Sequence, residues 1–299
     1  MEKQEKALLT IIVPAYNVEA YIEECLNSLV NQTVRNHKII IVNDGSTDKT
    51  EEKCLKYKEE YEELITYVYQ DNKGLGGARN TGMQYVDTPY LTFLDSDDWL
   101  SIKFVEKFSK LMEWTDEKPE MVFTLPWVFD SVTNRILSWK DKEIYDSIFE
   151  VKENKSYVKT NVRKNPELYK LEVSSCRKIY KTEFLEDNKF FFPEKLKWED
   201  VPGHFYLLNK ANTCMALPEV GFFYRTNQGG QITSGGGNTR LDMVPIFEQL
   251  LKVQEENNFI EIERAYVLRL ILDFSLWSVE ATNVEYIVEL LNKLHIFWK

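Results

Sequence analysis

The sequence has little of what defines several common protein classes. Its four cysteines, Cys25, Cys54, Cys176 and Cys214, are scattered, with no CxxC pair and no disulfide framework, so a reducing compartment is expected. Its three histidines, His37, His204 and His295, show no metal-ligand spacing. No apolar run approaches the length needed to span a bilayer. The run at 8–13 behind the charged residues 1–6 is too short for the core of a signal peptide, so the expected location is cytoplasmic. Positive charge is scarce: 37 Lys and Arg against 48 Asp and Glu leave a formal net charge of −11. That balance argues against a nucleic-acid partner, which is usually met with a basic face. There is no internal repeat. No Gly-Lys-Ser/Thr of a P-loop occurs, and the glycine-rich stretch follows the third predicted strand, out of place for a dinucleotide fingerprint.

What is present suffices for a core. The 299 residues are 43% hydrophobic and 13% aromatic. Residues 9–13, 38–42, 65–69 and 90–94 read as short strands rich in β-branched residues, with Pro14 expected to stop the first. Between them, Ile22, Cys25, Leu26, Leu29 and Val30 mark one helical face. A charged helix is expected to about residue 62, and another at 76–86. Strand alternating with helix predicts an α/β fold: a mostly parallel, Rossmann-like sheet flanked by helices. In such sheets ligands bind beyond the carboxyl ends of the strands. Polar clusters lie there: Ala15, Tyr16 and Asn17 after strand one, Asn43 and Asp44 after strand two, Asp71, Asn72 and Lys73 after strand three, Asp95 to Asp98 after strand four. Beyond about residue 121 come a strand, a hairpin around Thr133 and Asn134, a polar stretch at 141–170, a helix at 198–209 and a strand at 220–224. A glycine-rich loop at 229–238 precedes purely helical residues.

Each cluster has a chemical reading and a plain one. Asp95, Asp97 and Asp98 repel one another and need positive compensation, which a hard divalent cation, Mn2+ or Mg2+, supplies; the plain alternative is a solvated turn that caps the next helix. Asp44 can accept from a pyrimidine N–H or a ribose hydroxyl, or serve with Asn43 in an Asx turn. In 72–82 the glycines allow close backbone approach to a ligand, and Arg79 adds a fixed cation beside a helix N-terminus. Glu199 and Asp200, behind Trp198, can supply a general base with a raised pKa, or simply decorate a helix start. His204 lies one helical turn after Asp200, where a core histidine is the default.

Taken together, these motifs resemble the bacterial family 2 glycosyltransferases of GT-A fold. The matching residues run from Ile12 to Asn17, Val42 to Asp48, Asn72 to Gly74, Ala78 to Gly82 and Leu94 to Asp98, then Glu199, Asp200, Tyr224 and Arg225. The resemblance implies that Tyr16 stacks on the base in a pocket shaped by Pro14 and Ala15, with Asn17, Lys73, Arg79 and Ser96 around the nucleotide. Asp44 would contact the base, usually uracil, and Asp95 the ribose or donor sugar. Asp97 would ligate the metal, with Asp95 and His204 as lesser alternatives. Asp98 and Trp198 would face the donor sugar. Asp200 would be the catalytic base and Glu199 an acceptor or donor contact in an inverting displacement from a UDP-sugar to a glycan hydroxyl. Pro202 and Gly203 directly after that pair, and the absence of a serine-rich segment in 228–234, depart from the family pattern.

The expected organisation is a catalytic domain at 1–238, with a nucleotide half at 8–100 and an acceptor half at 101–238, followed by a helical extension at 239–299. Three roles stand for the extension: packing, a homodimer interface, or docking of residues 294–298 on the inner face of the cell membrane. A non-catalytic nucleotide-sugar-binding subunit is the rival function; it would have no need of Glu199 and Asp200.

Overall fold

The computed structural model describes residues 7–151, 158–227 and 237–299. The chain starts as an alternating unit: β1 (Leu9–Ala15), α1 (Ile22–Val30), β2 (His37–Asn43), α2 (Thr50–Glu60), β3 (Ile65–Tyr69), α3 (Gly74–Met83) and β4 (Tyr90–Phe93). β1 pairs parallel with β2 and β4, and β2 with β3. β1 and β4 are buried along their whole length, which is why they read as apolar runs rather than alternations.

The second half completes the same sheet. β5 (Trp99–Leu100) and α4 (Phe104–Trp114) lead to β6 (Met121–Asp130), which forms a hairpin with β7 (Arg135–Ser138). Then come α5 (Lys142–Ile148), β8 (Lys178–Lys181), α6 (Thr182–Asp187), α7 (Asp200–Lys210) and β9 (Cys214–Thr226). Among the described residues the strand order is β3-β2-β1-β4-β8-β6-β9-β5, with β7 on β6. β8 is antiparallel to both β4 and β6. β1 therefore sits where the order reverses, with β2 on one side and β4 on the other, and its carboxyl end opens on the expected crevice.

Pro14 does not stop the first strand. β1 continues to Ala15, with Pro14 opposite Val42 and Ala15 opposite Asn43. Ile12 O accepts from Leu94 and Ala15 O from Asp44, so Pro14 points its missing donor toward the β4 side. β4 has already ended there at Phe93, so no ladder bond is lost.

The glycine-rich stretch also has a use the sequence does not reveal. A Cβ on Gly76 would lie 2.1 Å from the carbonyl oxygen of Pro193, and Asn80 exchanges two hydrogen bonds with the backbone of Phe192, at 2.8 and 2.9 Å. The close approach that Gly74 and Gly76 permit is to the protein's own 192–195 segment. Gly76→Ala is expected to destabilise the fold by about 1–3 kcal/mol despite alanine's better helix propensity, because the obstacle is backbone. A denaturant midpoint equal to the wild type's would show that the segment yields freely.

From residue 238 a 3-10 turn (Asn238–Asp242) leads to α8 (Met243–Glu256), α9 (Glu261–Ala281) and α10 (Val284–Phe297). Phe247, Leu250, Leu290 and Leu294 join one hydrophobic core with β1 and β4, and Phe297 packs 5.6 Å from Phe247. Leu268, Leu272 and Leu276 leave an exposed apolar stripe on α9, at 45–64% exposure. Among the described residues no helix is long and apolar enough to cross a membrane. The expected loop at 229–238 and the 228–234 segment lie almost wholly outside the described residues.

Candidate active site

The strand ends bring the polar clusters to one edge of the sheet. Tyr16 directly follows β1 and is half exposed, at 49%. Asn17 takes a left-handed φ of 50° and accepts from Thr47 N at 2.8 Å, tying the β1 and β2 ends together. Asn43 makes the Asx turn, accepting from Ser46 N at 3.0 Å. Asp44 is thereby spared that task. It is buried, and Oδ1 accepts from Gln70 Nε2 at 2.6 Å and Lys73 N at 2.8 Å, which fixes the carboxylate at the β2–β3 crevice. The Lys73 side chain itself is exposed.

Asp95 to Asp98 form a tight turn closed by Asp98 N donating to Asp95 O at 3.0 Å. The turn runs into β5, not into a helix, and α4 begins only at Phe104, after Lys103 with no side-chain cap, so the capping explanation fails. Ser96 and Asp98 are buried, while Asp95 and Asp97 are half-buried. Asp98 Oδ1 accepts from Arg225 N at 2.8 Å. Burial, then the charges of Asp97 and Asp95, push the Asp98 carboxyl well above the usual range. Arg225 stacks 4.7 Å from the Trp99 ring and donates through Nε to Asp97 O at 2.9 Å.

Arg79 joins this turn to the far motif. Its side chain is 1% exposed; Nη2 donates to Asp95 Oδ1 at 2.9 Å, and Nη1 to Glu199 Oε1 and Asp200 Oδ1, both at 2.8 Å. Phe93 and Phe192 flank the guanidinium at 5.7 and 5.3 Å. Burial opposes its charge, but Asp200, Asp95 and Glu199 outweigh that and raise its pKa. Where the sequence suggests a cation for the nucleotide, the structure places one guanidinium among three carboxylates.

Glu199 precedes α7, and Asp200 is its first helical residue. Pro202 falls in the first turn, where a backbone N–H has no intrahelical partner to lose, so the Pro-Gly pair leaves Asp200 in place. The raised pKa falls on Glu199: burial pushes it up to about 7, Arg79 pulls it down, and Asp200 adds to the rise. The Glu199 side chain is only 4% exposed, whereas that of Asp200 keeps 16%. Because Glu199 binds its proton more tightly folded than at its ordinary 4.5, its contribution to stability is greatest below 4.5 and is lost as pH rises toward about 7. Glu199→Gln is expected to flatten that part of the stability–pH curve; an unchanged slope in thermal melts would remove Glu199 as its source.

The segment before β8 supplies residues that the sequence hides. Ser175 donates its hydroxyl to Asp200 Oδ1. Lys178, fully buried, donates to the carbonyls of Glu172, Val173 and Ser174 at 3.2, 2.9 and 2.7 Å, and burial pulls its pKa down to about 7. Arg177 grips Asp141 at 2.7 and 3.1 Å. These bonds set the loop that carries Ser175. The only sequence signal is an apolar-basic run at 173–185. His204 is buried on α7; burial and then Lys178 press its pKa well below 6.5, which keeps the imidazole neutral. Trp198 packs edge-on against Trp277 at 5.2 Å and against Phe274 at 6.3 Å, so its ring is engaged by α9.

A parallel nucleotide-type half merged with a mixed second half, with acidic clusters at the junction, is the GT-A arrangement of a transferase. The sequence matches glycosyl transferase family 2 over residues 10–171, more than half of its length, and the chain belongs to that family. It is 33% identical over 193 residues to the glycosyltransferase GlyA of Streptococcus pneumoniae, which covers 61% of this chain and 25% of GlyA. It is 29% identical over 202 residues to the putative glycosyltransferase EpsH of Bacillus subtilis, 68% of this chain and 55% of EpsH. A 25% identity over 268 residues links it to the poly(ribitol-phosphate) beta-N-acetylglucosaminyltransferase TarS of Staphylococcus aureus, 89% of this chain and 43% of TarS. The chain thus spans 25–55% of the lengths of these three relatives. In structure it resembles S. aureus TarS 1–349 in complex with UDP-GlcNAc, with a TM-score of 0.73 at 22% identity over 97% of this chain and 80% of the other. The mannosyltransferase PcManGT of Pyrobaculum calidifontis, in complex with GDP-Man and Mn2+, gives 0.56 at 15% identity over 99% and 82%. These likenesses establish the GT-A fold.

Proposed function

We propose that this chain carries out an inverting, metal-dependent transfer of a hexose or N-acetylhexosamine from a UDP-sugar to a hydroxyl of a glycan acceptor. One observation carries the reading: a single buried guanidinium joins Asp95, on the donor side, to Glu199 and Asp200, which supply the base. The complexes of TarS with UDP-GlcNAc and with UDP support a uridine nucleotide. Tyr16 stacks on the base, in a pocket floored by Pro14 and Ala15, and the fixed Asp44 carboxylate accepts from it. Asn17, Lys73 and Ser96 border the nucleotide, and Asp95 contacts the ribose or donor sugar.

The acidic turn suits a divalent cation. Among the described residues Asp98 carries a buried Oδ2 with no hydrogen-bond partner, and three carboxylates crowd one turn of hard oxygen donors. Among the described residues no group of three or more ligand-type side chains is arranged to hold a metal by itself. An ion there would be held by one or two carboxylates and shared with substrate phosphates. Asp97 would hold it, with Asp95 beside it; when bound, it would neutralise charge on the diphosphate. Asp98 shapes the turn through Arg225 N.

Asp200 is the base because, of the two carboxylates on Arg79 Nη1, it is the more exposed. Its carboxylate takes the proton of the acceptor hydroxyl. The acceptor oxygen bonds to the anomeric carbon as the bond from that carbon to the diphosphate oxygen breaks, and UDP departs with the electron pair. Arg79 and Ser175 hold the carboxylate in place. A panel of UDP-sugars with Mn2+, read by UDP release and thermal shift, tests the proposal; no response to any of them would overturn it. Tyr16→Ala is expected to weaken UDP roughly tenfold or more, since stacking on a base contributes about 1–3 kcal/mol. Its stability should change little, because the residue is half exposed. Unaltered calorimetric affinity would remove Tyr16 from the base pocket.

A further inference from the structure

Trp198 adopts a φ of +66°, in the left-handed region that bulky residues rarely occupy. It directly precedes Glu199 and Asp200. Such a conformation persists only where the surroundings over-determine it. Those surroundings come from the C-terminal helical region. The Trp198 ring sits edge-on to Trp277 (5.2 Å between centroids, 86° between planes) and close to Phe274, both on α9. The Arg240 guanidinium lies 3.6 Å from the centre of the Trp277 ring and 5.8 Å from that of Trp198, and so covers both indoles. One residue earlier, Lys197 N donates to Asp242 Oδ2 at 3.0 Å. Arg240 and Asp242 share the 3-10 turn that opens the helical region. Two consecutive residues are therefore gripped, one by its ring and one by its backbone, immediately before the segment turns into α7.

We propose that the C-terminal helices are a positioning element of the catalytic centre, with Trp277, Arg240 and Asp242 clamping Trp198 and Lys197 so that Asp200 meets Arg79 and faces the acceptor. Arg79 and Ser175 hold the carboxylate from one side, and the aromatic clamp sets the backbone from the other. With the clamp removed, Trp198 relaxes toward an ordinary negative φ and swings Glu199 and Asp200 off the guanidinium. The nucleotide pocket at Tyr16 and Asp44 stands on the β1, β2 and β3 ends and keeps its shape. The inference rests on the reading of Asp200 as the base.

The test compares Trp277→Ala, Trp277→Phe and Asp242→Ala with the wild type and with Asp200→Asn. UDP release from UDP-GlcNAc with Mn2+ gives kcat and KM, and calorimetry gives UDP affinity. Trp277→Ala is expected to lower kcat on the order of 10- to 100-fold, the scale of a displacement near 1 Å, with UDP affinity held within about twofold. Trp277→Phe should recover most of the loss, because an aromatic edge remains. Asp242→Ala removes the bond to Lys197 N without touching the aromatic contacts; it should lower kcat in the same sense, and it answers the question if Trp277→Ala does not fold. Wild-type kcat in folded Trp277→Ala or Asp242→Ala, alongside an inactive Asp200→Asn, would overturn the clamp. A parallel loss of UDP affinity and kcat in both would overturn it too, as a general structural effect. Wild-type turnover by Asp200→Asn would instead overturn the base assignment.

Discussion

Asp200→Asn is expected to cut UDP release by about 10²- to 10⁴-fold, the usual contribution of a positioned general base, while UDP affinity stays close to that of the wild type. The amide keeps the size of the carboxylate and its carbonyl oxygen can still accept from Ser175 and Arg79, so the local structure should survive. What it loses is the capacity to take a proton. Arg79 retains Asp95 and Glu199 as counter-charges, so no cation is left unmatched. A second effect follows from the charge. Asp200 helps to raise the Glu199 pKa, and its neutralisation should move the Glu199 titration downward from about 7. Wild-type turnover by this variant would remove Asp200 as base; a loss of UDP binding in step with turnover would recast it as a binding residue.

Arg79→Met should have the largest effect on stability. It keeps most of the apolar stem between Phe93 and Phe192 but leaves three carboxylates without their shared partner. Removing one side of a buried ion pair costs about 3–5 kcal/mol, because the remaining charge stays buried. Asp95 is 28% exposed and is partly relieved by water, so Glu199, at 4%, accounts for most of the loss. Arg79 pulls the Glu199 pKa down, so without it Glu199 keeps its proton to a pH above about 7, and the defect should shrink as pH falls from alkaline values toward about 7. Arg79→Lys should recover only part of the stability, since one ammonium cannot reproduce two forked nitrogens. Denaturant titrations at pH 5 and pH 8 check both points. Equal stability of Arg79→Met and the wild type at both values would mean that the carboxylates do not depend on the guanidinium.

The parallel half of the fold is written in local patterns. Continuous burial makes β1, β2 and β4 apolar runs, a helical period marks α1, and polar residues fall where the strands end and meet solvent. Tyr16, Asp44 and Asp95 to Asp98 are legible for that reason. Pro14 misleads because the direction of its missing N–H depends on where β4 ends, a fact of the sheet rather than of the neighbouring residues. The convergence of Arg79 with Glu199 and Asp200 is a contact between distant parts of the chain, and no period records it. Gly76 looks like a ligand-facing glycine, but only the path of residues 192–195 shows what it approaches. Lys178 resembles any surface lysine until three carbonyls are seen around it. The family resemblance turns Trp198 toward the donor sugar, whereas its ring packs on α9, a contact between distant parts of the chain that no local pattern in those helices records.

The most direct test of the site is a calorimetric titration of UDP into the wild-type protein, once with Mn2+ and once with excess EDTA. Saturable binding is expected with Mn2+, weaker by about tenfold or more with EDTA, because the acidic turn would then meet the diphosphate without a cation between them. Equal affinity in the two buffers would contradict the metal assignment to Asp97. No binding in either would contradict the assignment of this sheet edge as a uridine-nucleotide site.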